Sequence, residues 1–182
     1  MTADVRPAAK DRPAGSAWLP AFLFRAERWP AYVLKAWLLA LIPSIALAAL
    51  VAVALPQAGA PDFGPAEAPV DKAVLAIGLV LIGPFLETLI MALGLTLFRA
   101  LAGVTGAVVL SALFWGLLHS FGPMLAGGEA IPVWGLVVWW PFLILSIAYL
   151  TWRPRGFGLA IGTATVIHGL QNSVAAAALL LA

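Results

Sequence analysis

The chain contains no cysteine. Disulfides, thiolate metal sites, iron–sulfur clusters and thiol nucleophiles are therefore excluded. Charge is nearly as scarce. Asp, Glu, Lys and Arg make up 10% of the 182 residues, against roughly 25% in a soluble domain. There are two histidines and a single asparagine, Asn172. No basic patch interleaved with aromatics accompanies the net charge of +2, so nucleic acid is not an expected partner. What is abundant is apolar: 63% of the residues are hydrophobic and mean hydropathy is +1.04. The apolar residues fall in blocks of about twenty or more, the length a helix needs to cross a bilayer.

This pattern predicts an all-α fold, a polytopic transmembrane helical bundle of about five spans with an N-terminal interfacial segment. The spans cover roughly residues 32–55, 73–98, 103–124, 131–151 and 157–181. Residues 1–30 form a cytoplasmic tail and interfacial segment, 31–71 the first transmembrane helix and an external loop, and 72–182 a four-helix core. Within the first unit, residues 1–16 read as disordered, and 17–30 (AWLPAFLFRAERWP) as a short segment lying in the membrane interface. A signal peptide is not expected, because the first apolar run starts too late and is too long. The linkers are a long acidic stretch over 56–71, a tight turn over 99–102, a short loop over 125–130, and WRPRG over 152–156.

Arg6, Lys10, Arg12, Arg25, Arg28, Lys35, Arg99, Arg153 and Arg155 fall on one side of a five-span chain. Of the basic residues, Lys72 alone falls on the other. The positive side faces the cytoplasm, so the expected placement is a bacterial cytoplasmic membrane with a cytoplasmic N-terminus.

Seven of the eight acidic residues lie in the tail or loops; Glu87 sits within the second span. His119 lies in the third span, and His168 in the fifth with Asn172 one helical turn beyond on the same face. Ionisable groups at bilayer depth cost at least ~2.5–3.5 kcal/mol each, and they normally face the bundle interior and pair. Counted from the cytoplasmic ends of their spans at 1.5 Å per residue, Glu87 and His168 lie roughly 18 Å deep, His119 roughly 22 Å and Asn172 about 24 Å. Three helices thus bring their polar residues to a similar level, as a single buried site requires.

A buried glutamate can act as general base toward water, with a histidine sharing that water. A second histidine and an asparagine can donate to a developing oxyanion. Those parts suffice to hydrolyse a peptide bond without a covalent intermediate and require no cofactor. Glu87, His119 and His168 are equally ordinary ligands for a divalent metal such as zinc, whereas asparagine is a poor one. Each side chain also has a purely structural reading: Glu87 as a buried carboxylate pairing two helices, His119 as an interfacial histidine, and His168 with Asn172 as interhelical hydrogen bonding worth ~0.6 kcal/mol on average.

In order along the chain, these residues resemble the CPBP family of intramembrane proteases (CAAX protease, bacteriocin-processing, Abi). The likeness covers about residues 72–180. Pro84 precedes Glu87 in PFLETLIMA, LFWGLLHS supplies Trp115-x-x-x-His119, and IHGLQNS supplies His168-x-x-x-Asn172. The resemblance implies a protease core over 72–182, with Glu87 and His119 activating the attacking water and His168 and Asn172 stabilising the oxyanion. The implied partners are a peptide or membrane-protein substrate and the lipid bilayer. Three positions depart from the family pattern: Thr88 stands for a second Glu, Ala92 for an Arg and Trp115 for a Phe. The alternative expectation is accordingly a catalytically degenerate homologue, acting as a membrane immunity or scaffold protein.

Overall fold

The computed structural model of the protein describes residues 17–55, 71–125 and 131–181. The expected disordered tail, most of the acidic loop and the loop between the third and fourth spans lie outside the described residues. Among the described residues every regular element is helical and no strand occurs.

Helix α1 (Trp29–Ala54) carries a proline in its first turn, where a missing N–H costs nothing. Helix α2 (Lys72–Ile77) starts at Asp71, whose carboxylate accepts the Ala73 N–H at 2.8 Å. It runs through a π-helical turn (Gly78–Ile82) into α3 (Gly83–Leu125). Helix α4 (Trp134–Trp152) and α5 (Phe157–Leu181) are joined by a 3-10 turn (Arg153–Arg155). Four continuous helical stretches are long and apolar enough to cross a membrane: Trp29–Ala54, Lys72–Met124, Trp134–Arg155 and Phe157–Leu181.

The second of these is folded on itself. Gly103 interrupts α3 with φ 67° and ψ −171°, a conformation that only glycine adopts without steric cost. In an unbroken helix Glu87 and His119 would stand about 48 Å apart. They instead line one cavity, so the arms before and after Gly103 run back along each other. The four continuous stretches and the five expected spans therefore describe the same path. The reversal falls one residue later than expected: 99–102 are helical, and Gly103 makes the turn.

Helix α4 is the central pillar. Of its most apolar stretch, 61% is buried, against 17% for α1 and 28% for α5. A helix apolar on all sides is stable only when other helices surround it or lipid does, and here the first applies. At its N-terminal end α4 crosses the second arm of α3 at a pair of glycines. A Cβ on Gly135 would lie 2.6 Å from Gly116 O. Beside the crossing, Ile131 N–H donates to Ser120 O at 2.8 Å, and Ser120 Oγ donates to Pro132 O at 3.0 Å.

The N-terminal segment packs into the bundle. A 3-10 turn (Ala21–Phe24) inserts Leu23 fully into the protein. The Leu23 carbonyl accepts from both Tyr32 Oη (3.1 Å) on α1 and Thr151 Oγ1 (2.7 Å) on α4. Trp152, placed in a linker on sequence grounds, closes α4 and is buried edge-on against Tyr32.

Candidate functional site

Because the chain doubles back at Gly103, residues equally far on either side of it return to the same depth. Glu87 and His119 are such a pair. Both line a cavity of about 370 Å³, together with Ile90, Trp115, Leu118, Pro123, Ile131 and Trp134. These walls belong to the end of the bundle where α3 meets α4, remote from the N-terminal turn.

Helix α5 brings His168 to the other side of Glu87. His168 Nε2 lies 3.7 Å from Glu87 Oε2, with the histidine side chain 6% exposed and the glutamate 30%. That distance is beyond a direct hydrogen bond and suits a pair sharing a water. Glu87 Oε2 and His168 Nδ1 are both buried and have no hydrogen-bond partner in the protein.

His119 is oriented by its own helix. Its Nδ1 lies 2.9 Å from Trp115 O. A carbonyl only accepts, so Nδ1 carries the proton and Nε2 is left as an acceptor. Phe142, at the middle of α4, connects the two histidines. Its ring stacks on Trp115 (4.5 Å between centroids, 8° between planes) and touches His119 (5.6 Å) and, edge-on, His168 (5.2 Å). It is 2% exposed and packs against both imidazoles.

Asn172 sits on the same face of α5 as His168, but its Nδ2 donates to Leu79 O in the π-turn at 3.0 Å. It does not line the cavity. The structure thus sets His119 and His168 against Phe142, places Glu87 beside His168 and on one cavity with His119, and joins Asn172 to the backbone of the segment that leads to Glu87.

Glu87, His119 and His168 are of metal-ligand type, but their grouping is not that of a metal site. Among the described residues no three His, Asp or Glu side chains are arranged to hold an ion. Glu87, His119 and His168 share a neighbourhood without converging on one point. Of the positions that depart from the family pattern, Thr88 and Ala92 are buried, at 1% and 4% exposure. Ala92 lies in the hydrophobic core.

Phe142 and the π-turn carry no motif signal. The one available hint at the π-turn is Pro84, which deprives a carbonyl of its donor without indicating what replaces it.

No family model, no curated protein and no solved structure matches this chain. The likeness to the CPBP pattern rests on the motif residues alone.

Proposed function

We propose that the protein is an intramembrane endopeptidase of the CPBP kind, embedded in a bacterial cytoplasmic membrane with its N-terminus in the cytoplasm. The supporting observation is that Glu87 has an unpartnered oxygen 3.7 Å from His168 Nε2 and shares a cavity with His119. Glu87 takes a proton from a water in that cavity, and His119 Nε2 accepts the water's second hydrogen and orients it. The hydroxide adds to the scissile carbonyl carbon. His168 stabilises the charge that develops on the carbonyl oxygen. An amide nitrogen carries two hydrogens; the one Asn172 does not give to Leu79 is the donor the family resemblance assigns to the oxyanion. Collapse of the tetrahedral intermediate breaks the C–N bond, and Glu87 returns its proton to the leaving amine. The products are a carboxylate and an amine, and no step needs a metal.

The test is cleavage of membrane-inserted peptides by the purified protein in liposomes. Glu87→Gln and His168→Ala should each abolish it while leaving the helical fold intact. Full cleavage by both variants would sink the proposal.

The replacement of the pattern's second Glu by Thr88 and of its Arg by Ala92 motivates a second reading, a non-catalytic homologue acting as an immunity or scaffold protein. Under that reading, folded alanine variants at Glu87, His119, His168 and Asn172 all behave as wild type in the cell.

A further inference from the structure

Pro84 has no amide hydrogen, so the helix carrying Glu87 must leave one carbonyl without its main-chain donor. In the α register that carbonyl is Val80 O; in the π register it is Leu79 O. The chain takes the π register here. Gly83 N–H bonds to Gly78 O, five residues back, and the next bond of that series would run from position 84 to Leu79 O. Leu79 O accepts from Asn172 Nδ2 instead. Val80 O is closed against the same helix by Gly169, where a Cβ would stand 2.5 Å from it. Both carbonyls that Pro84 can strand therefore face α5, which meets one with a side-chain donor and the other with a glycine.

We infer that Asn172 is a positioning residue: its amide replaces the hydrogen bond that Pro84 deletes, and so holds the π-turn in the register that aims Glu87 at His168. One residue more or less in a helical turn rotates the remainder of the helix by about 100°. Loss of the π-turn would carry the Glu87 side chain off the face that meets α5. Because His168 and Asn172 are one turn apart on α5, the surface that presents the imidazole also holds the backbone on which the carboxylate is mounted. This inference goes beyond the protease reading and does not depend on it, since the placement is the same whatever reaction the site performs.

The test therefore uses no catalysis. Amide hydrogen exchange over residues 78–86 reports the turn. Since the chain has no cysteine, Glu87→Cys with His168→Cys gives one reporting pair for a short thiol cross-linker. Asn172→Ala should speed exchange over 78–86 by about tenfold, the order expected for one stranded buried carbonyl, and should lower the cross-linking yield. The amide restored by Pro84→Ala can serve the stranded carbonyl itself. In that background, adding Asn172→Ala should change exchange by less than about twofold. Wild-type exchange or an undiminished cross-link in Asn172→Ala overturns the inference, as does an equal effect with and without Pro84→Ala. If Asn172→Ala does not fold, the double variant decides: recovery of folding supports the inference, and failure to fold overturns it. Cleavage that survives Glu87→Gln would remove the protease reading and leave these outcomes untouched.

Discussion

His168 and His119 touch the same ring, Phe142, yet the regions around them are built differently. Around His168 the wall is closed. Gly169 lets α5 approach the backbone of the π-turn, Asn172 ties the two together, and the imidazole is almost wholly covered. Around His119 the wall is open. The imidazole is held by its own helix through Trp115 O and borders a cavity. The contrast separates two requirements of a site inside a membrane. Geometry is set where backbones meet closely, because packed interiors leave side chains little freedom. Access is provided where side chains border a cavity. Glu87 belongs to both regions, partly exposed to the cavity and aimed at His168.

That division can be broken experimentally. The largest effect is expected at Glu87 itself: Glu87→Gln should lower peptide cleavage by about 10²–10⁴-fold, the usual contribution of a general base, with little change in the unfolding midpoint. A variant that instead mainly unfolds would assign Glu87 to the closed region. Next comes Phe142→Ala, which removes the ring between the histidines and should cost about 3–5 kcal/mol, measured by chemical unfolding in micelles. A cost well under that would mean that the two regions do not share a packed centre. Gly169→Ala forces a Cβ against Val80 O and should cost about 1–3 kcal/mol by the same measurement. The smallest effect is its control. Gly162, on the same helix, has nothing within 4 Å of an added Cβ, so Gly162→Ala should be neutral or stabilise by up to about 1 kcal/mol. Equal costs at the two glycines would remove the case for close approach at the π-turn.

Much of this arrangement is legible in the sequence, for reasons that differ by element. The apolar pattern places the last span at 157–181, and α5 occupies Phe157–Leu181. Arginines and a glycine mark its start, and apolar length marks the rest. The shared level of Glu87 and His119 emerges from counting residues, because a helical hairpin converts sequence distance into depth. Residues 17–24 read as interfacial because an aromatic, basic segment looks the same whether it meets lipid or protein. The burial of Leu23 and the Tyr32 and Thr151 hydroxyls on its carbonyl separate the two. Phe142 is hidden in an unbroken apolar run, where one more phenylalanine carries no information. The π-turn is hidden for a related reason: GLVLI reads as ordinary helix, and its register is chosen by a contact from Asn172, far along the chain.

The turn that buries Leu23 lies beneath the C-terminal end of α4, and the cavity lies beside the N-terminal end. The buried turn and the cavity thus stand at opposite ends of α4. Under the proposed reaction, water would reach Glu87 from the end of the bundle that holds the cavity, and the segment anchored at Leu23 would be free of any part in its supply.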